Sequence, residues 1–249
     1  MSELSIPFLL AATMTFFAAD AVKGVTGMGL PTVAMGVLGA LISPLAAASL
    51  LIVPSLVTNI WQLLAGRALR PLVRRLWPMM LAICAGKMLG SQWLAGGDSG
   101  ATTTALGIAL VVHASYTLFA RQLRVPARDE PWLSPLTGAL TGIVTGGTGV
   151  FVFPAVPYLQ ALGLSPDDLV QALGLSFTVS TVALAAGLGA HGAFAPETMG
   201  LSVLALAPAL AGMWAGQRLR GRLNPGTFRR VFLAFLLLLG AQMALRPLL

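Results

Sequence analysis

Apolar runs of helical length, with almost no charge inside them, follow one another along this chain. Between Leu4 and Gly66 the charged side chains are Asp20 and Lys23 alone. A hydrocarbon layer of ~30 Å is crossed by about 20 apolar helical residues. Runs of that order fall at roughly 6–23, 30–42, 45–66, 76–95 and 101–120, and again at 134–146, 150–163, 168–189, 197–217 and 228–245. Only 9% of the 249 residues are charged, against about 25% in soluble domains. A chain of this length has no core large enough to hide the rest, so the bilayer must act as its solvent. The expectation is an all-α, polytopic helical membrane protein.

The net charge of +7 would suggest nucleic acid in a soluble chain, but here the arginines sit in short loops. They form three clusters: Arg67, Arg70, Arg74 and Arg75; Arg121, Arg124 and Arg128; and Arg218, Arg220, Arg222, Arg229 and Arg230. The positive-inside rule puts all three in the cytoplasm and both termini outside. Nucleic acid is not an expected partner; lipid is. One cysteine, Cys84, excludes an internal disulfide and a multi-cysteine metal site. The opening "MSELSIPFLL" lacks a basic n-region, and the first run is read as retained despite the weak Ala19-Asp20-Ala21 cleavage pattern.

Five runs followed by five suggest a repeat, 1–120 and 133–249, joined by a cytoplasmic linker at 121–132. "TGMGLP" answers "TGGTGVFVFP", Ser43-Pro44 answers Ser165-Pro166, "LVTNIW" answers "TVSTVA", and Gly86/Gly90 answer Gly212/Gly216. Matching loops differ in charge: the basic 67–75 loop corresponds to an arginine-free 190–196 loop, and "GGDSG" to the basic 218–230 loop. The two repeats are therefore expected to be inverted, with the first two segments of each short or broken. Whether those leading segments are re-entrant or cross fully stays open at this level.

Inverted repeats with broken leading segments are how secondary transporters build a midplane site, and rocking one half on the other gives alternating access. Irregular backbone cannot face lipid, so both glycine turns should meet inside. A helix N-terminus at such a turn would offer amide groups to an anion, with Thr26, Gly27, Gly29, Thr145, Gly146, Gly147 and Thr148 around it. Neither turn has the Gly-Lys-Ser/Thr element of a P-loop.

Intramembrane charge points to the sign of the substrate. Asp20, Lys23 and Lys87 each cost about 2.5 to 3.5 kcal/mol at mid-depth on insertion scales, which makes each a functional candidate. Asp20 and Lys23 are one helical turn apart and could pair; Asp20 is also the proton-coupling candidate. Lys87 has no acid around it and lies about 18 Å of helix beyond Arg75, too deep to snorkel comfortably. Two cations against one anion leave a positive remainder that an anionic substrate would neutralise. Thr58 and Asn59 in one half, and Ser180 and Thr181 in the other, are placed by the repeat in one cavity as further polar groups. The bland readings are close packing for the glycines, backbone bonding for Lys87 and interhelical hydrogen bonding for the four polar residues. His113 reads as a packed helix residue and His191 as a solvated loop residue, neither with a metal-ligand partner. No nucleophile motif accompanies them, so an intramembrane hydrolase is disfavoured and the chain is read as not an enzyme. No cofactor or metal is expected.

Several of these elements resemble the sulfite exporter TauE/SafE family of anion permeases. They are Gly27-Met28-Gly29, Gly146-Gly147-Thr148-Gly149 with its apolar run to Pro154, the Pro44 and Pro166 turns, and "GMWAGQRLRGRLNPGTFRRVFLAFLLLLG" at 212–240. The resemblance spans essentially the whole chain and implies an inner-membrane carrier of sulfite, sulfonates or related organosulfur anions, driven by an ion gradient. Proton and sodium are the candidate coupling ions, and a homodimer is one arrangement left open, as are the anion and the direction of transport. Two rivals stand beside this reading: a carrier of another small anion such as a carboxylate, and a non-transporting membrane scaffold or assembly factor.

Overall fold

The computed structural model describes residues 6–27, 30–96, 98–119, 124–151, 153–193, 196–219 and 225–246. Helices account for nearly all of them: α1 (Ile6–Thr26), α2 (Leu30–Leu41), α3 (Pro44–Leu64), α4 (Leu69–Gly96), α5 (Ser99–Phe119), α6 (Glu130–Thr148), α7 (Ala155–Ala161), α8 (Pro166–Ala190), α9 (Pro196–Leu204), α10 (Leu206–Leu219) and α11 (Pro225–Leu245). Among the described residues there is no strand. Among the described residues five stretches are long and apolar enough to cross a bilayer: α1, α3, α5, α8 and Met199–Leu219, which runs from α9 into α10. At 28 residues α4 is longer still, its arginines Arg70, Arg74 and Arg75 confined to the first turns.

Polarity is reversed relative to a water-soluble fold. Lys23, Lys87, Asp20, Asn59 and Thr58 are each at most 2% exposed, whereas Leu10, Met14, Leu89, Phe119, Leu204 and Leu238 are each more than 60% exposed. Such a surface would aggregate in water and is at home in lipid. All five tryptophans lie on that surface. Four of them, Trp61, Trp77, Trp132 and Trp214, fall near helix ends that carry arginine, as expected of an interfacial aromatic belt. Arg218 stacks 4.8 Å above the Trp214 ring. The protein is a multi-pass helical membrane protein.

The long third segment of each half starts with the same device. Ser43 and Ser165 are extended N-caps that accept from the amides of Ala46 and Asp168, both at 3.2 Å, and a proline follows each. A proline at the first helical position lacks only an N–H that would have had no partner. Further along α3, Pro54 has no N–H for the carbonyl of Leu50. Ser202 of α9 repairs the gap, donating to Leu50 O at 2.8 Å and accepting from the Val53 amide at 3.2 Å.

Packing partners exchange between the two sequence sets. α1 lies along α10 and α6 along α4, while α3 packs on α8 and α5 on α11. Both of the first two contacts are built on glycine. A Cβ on Gly24 would lie 2.5 Å from the Met213 carbonyl oxygen, and one on Gly146 would lie 2.8 Å from the Gly90 backbone. Backbones therefore touch, the usual basis of helix association in lipid.

The structure differs from the sequence expectation in two places. Only the second leading segment of each half is short: α2 has 12 residues and α7 has 7, whereas α1 has 21 and α6 has 19. The run at 197–217 divides at Ala205, because Pro208 leaves the Leu204 carbonyl without its helical donor.

Candidate functional site

The glycine turns end helices rather than begin them. Gly27 and Gly149 have φ of 76° and 74°, the left-handed conformation that glycine adopts without strain. Each amide closes its own helix, Gly27 onto Lys23 O at 2.7 Å and Gly149 onto Thr145 O at 2.8 Å. The expected amide-lined anion site is not built by these two groups, because their N–H groups are already used. The threonines also differ from expectation. Thr26, Thr145 and Thr148 donate to Val22, Thr141 and Val144 carbonyls of their own helices, at 2.9, 2.5 and 2.6 Å. Their hydroxyl oxygens present acceptor lone pairs, not protons, to whatever lies opposite. Gly146 packs against Gly90, and Gly147 lines an apolar lateral cleft of about 660 Å³ with Trp93, Val112 and His113. Gly29 lies outside the described residues.

The turn geometry brings Lys23, in the last turn of α1, against the C-terminal third of α3. Its ammonium donates to Thr58 Oγ1 at 2.9 Å and to Asn59 Oδ1. Thr58 passes its own proton to Pro54 O at 2.8 Å, so its oxygen is oriented toward the lysine. The Asn59 amide in turn donates to Thr181 Oγ1 at 3.3 Å. This single chain of bonds, Lys23 to Asn59 to Thr181, joins α1, α3 and α8. Adjacent polar residues in the third segments of the two halves therefore do meet, through Asn59 and Thr181.

Asp20 does not take the lysine. Both of its carboxyl oxygens are buried without a hydrogen-bond partner. Lys23 has found neutral oxygen acceptors on α3 instead of the carboxyl one turn earlier. A polar group buried in that condition costs several kcal/mol, so Asp20 remains a group whose presence a structural role does not explain.

Above Lys23 lies a vestibule of about 560 Å³. It is lined by Lys23, Gln62, Arg67, Asp168, Met213 and Gln217, among others. Gln62 donates to Gly27 O at 2.9 Å and Val170 O at 3.1 Å, which fixes the turn against α8, and its Oε1 is buried without a partner. Gln62 is absent from the sequence-level site although the signal was there. It lies three residues after Asn59 and four after Thr58, on the same helical face. The vestibule opens where the ends of α3 and α10 meet the starts of α4 and α8, the arginine-bearing end of the molecule. At that end Arg75 holds Glu130 through two bonds, Nε to Oε1 at 2.6 Å and Nη2 to Oε2 at 2.9 Å. The paired guanidinium is raised above its usual pKa by the Glu130 hydrogen bond first, against a smaller opposing effect of burial.

Lys87 occupies a second, separate pocket of about 30 Å³. Its ammonium donates to Ser180 O at 2.6 Å, and the Ser180 hydroxyl oxygen is buried without a partner. Thr145, Thr181 and Ser55 line the same pocket. The histidines stand apart: His113 is buried beside Thr117, and His191 caps α8 with Nδ1 at 2.7 Å from Gly187 O.

A family model described as "Sulfite exporter TauE/SafE" matches residues 11–243, nearly the whole chain. The chain belongs to this family. TauE/SafE is a membrane transporter family, in keeping with a multi-pass fold whose charge and polarity are turned inward. No curated protein and no solved structure matches the chain. The residue-level arrangement in this TauE/SafE member therefore rests on its own geometry.

Proposed function

We propose that the protein is a secondary carrier of a small sulfur oxyanion, sulfite or a sulfonate, working by alternating access in the cytoplasmic membrane. The observation that carries this reading is the Lys23 ammonium at the floor of a 560 Å³ vestibule, held by neutral acceptors only. Thr58 and Asn59 orient the cation without cancelling its charge. An arriving oxyanion pairs with the Lys23 ammonium and passes a lining in which Arg67 offsets part of the charge of Asp167 and Asp168. Desolvation of the anion is offset because the ammonium is already out of water.

Two inverted repeats, 1–120 and 133–249 around a 121–132 linker, supply the moving parts in this reading. Support comes from spacing: Gly27 and Gly149, Pro44 and Pro166, and Asn59 and Thr181 are each 122 positions apart. Support comes also from the exchange of the α1·α10 contact for α6·α4. With the arginine loops cytoplasmic, the vestibule faces the cytoplasm. Asp20, buried and unpartnered one turn before Lys23, is the proton-coupling group.

The reading is tested by a thermal-stability screen of the purified protein against sulfite, sulfoacetate, sulfate and short carboxylates. Stabilisation by sulfite or sulfoacetate that disappears in Lys23→Gln is the expected result. Preference for a carboxylate would move the protein to another class of anion, and no response to any anion would favour a non-transporting scaffold.

A further inference from the structure

The Lys23 vestibule and the Lys87 pocket occupy the same position in the two halves. Residues of α1–α3 correspond to α6–α8 at a spacing of 122, and α4 corresponds to α10 at a spacing of 126, as Gly86/Gly212 and Gly90/Gly216 set it. Under these spacings Lys23 maps to Thr145, Gly27 to Gly149, Gln62 to Leu184, Val170 to Ala48, and Met213 to Lys87. The first member of each pair lines the open vestibule and the second lines the small pocket. Both lysines belong to the first half: the vestibule takes Lys23 from α1, and the pocket takes Lys87 from α4, at the place that Met213 of α10 holds in the vestibule.

The two differ in being open or shut. The vestibule lining includes Ala65 and Gln217. Their counterparts, Gly187 and Ser91, are in contact: a Cβ on Gly187 would lie 2.7 Å from Ser91 Oγ. Behind that contact the pocket shrinks to about 30 Å³, room for about one water molecule. The side chains inside it are underused. Lys87 makes one hydrogen bond where an ammonium has three protons to give, and the buried Ser180 hydroxyl oxygen has no partner.

We propose that Lys87 and Ser180 form a second anion site, shut in this structure, that opens to the face opposite Arg67 when α4 and α8 part at Ser91 and Gly187. It rests on the carrier reading above and assigns the two lysines to different faces. The sulfur oxyanion bound at Lys23 from the Arg67 face leaves from Lys87 on the other. The Asn59–Thr181 bond, between residues that correspond to each other, is the partition it crosses.

The test uses full-length protein in membrane vesicles of both orientations, in a Cys84→Ser background, with sulfoacetate as the transported probe. A membrane-impermeant thiol reagent is expected to label Gln217→Cys from the Arg67 face and Ser91→Cys from the opposite face only. Lys87→Gln should raise the sulfoacetate KM measured from that opposite face at least tenfold and leave the KM from the Arg67 face within twofold, and Lys23→Gln should do the reverse. Equal KM changes from both faces would mean one shared site and overturn the proposal. Ser91→Cys inert from both faces while sulfoacetate is transported overturns the second site alone. Labelling as expected with no sulfoacetate transport overturns the carrier reading and the anion assignment together, leaving only the closed pocket. The labelling arm retains Lys87, so it stands even where Lys87→Gln fails to fold.

Discussion

Replacing Asn59 with leucine separates a structural role for the Lys23 network from a mere coincidence of contacts. The substitution keeps the volume but removes two interactions at once, the acceptor of the Lys23 ammonium and the donor to Thr181. A hydrogen bond to a charged group contributes about 1.5 to 3 kcal/mol, and an interhelical bond between neutral side chains in lipid roughly 0.6. The expected loss is therefore about 2 to 4 kcal/mol, or about 5 to 15 °C in Tm for a chain of this size. Part of that loss is the penalty of a buried ammonium left with Thr58 alone of its two acceptors, so removing the ammonium as well should recover some of it. Thr58 keeps its bond to Pro54 O either way. Thermal and SDS unfolding of the detergent-purified single and double variants are the assays. Lys23→Met added to Asn59→Leu is expected to regain about 1 to 2 kcal/mol while leaving anion binding abolished. A double variant that is less stable than Asn59→Leu would refute the reasoning, since the Thr58 bond would then satisfy the ammonium without Asn59.

Three further outcomes follow from the packing. Gly142→Val should abolish the folded protein, because a Cβ there meets the Ile83 carbonyl and the Gly86 backbone, whereas Gly96→Ala, with nothing within 4 Å, should change stability by less than about 0.5 kcal/mol; expression and gel-filtration profiles distinguish them. Ser202→Ala should cost about 1 to 3 kcal/mol by exposing the gap that Pro54 leaves at Leu50 O, and Pro54→Ala in the same chain should restore part of it by returning the helical donor. Arg75→Gln should cost no more than roughly 1 kcal/mol, a cost that shrinks further at high salt, because the Arg75–Glu130 pair is partly exposed for all its two-bond geometry.

What the sequence conveyed was one-dimensional. Apolar run length located the spanning segments, and Ser-Pro fixed the starts of α3 and α8, because capping chemistry is local. The kinship of Thr58-Asn59 with Ser180-Thr181 was legible for the same reason, as two polar dipeptides at equal distance from the two Ser-Pro starts. Lateral choice was not legible. Lys23 prefers oxygens 35 and 36 residues away to the carboxyl one turn back, and only the approach of α3 to α1 decides that. A glycine turn likewise reads the same whether it ends one helix or starts the next; the positive φ at Gly27 and Gly149, with their amides turned back into α1 and α6, resolves it. Gln62 was overlooked because a single glutamine near a helix end is ordinary until the turn it holds is seen beside it.

Anion exchange through the Lys23 site is measured by counterflow in proteoliposomes. Vesicles holding the full-length protein are loaded with unlabelled sulfoacetate and diluted into a trace of the labelled anion. Transient accumulation of label, abolished by Lys23→Gln in protein that still elutes as a folded species, is the predicted result. Label that fails to accumulate with the native chain, or accumulates equally with Lys23→Gln, would contradict it.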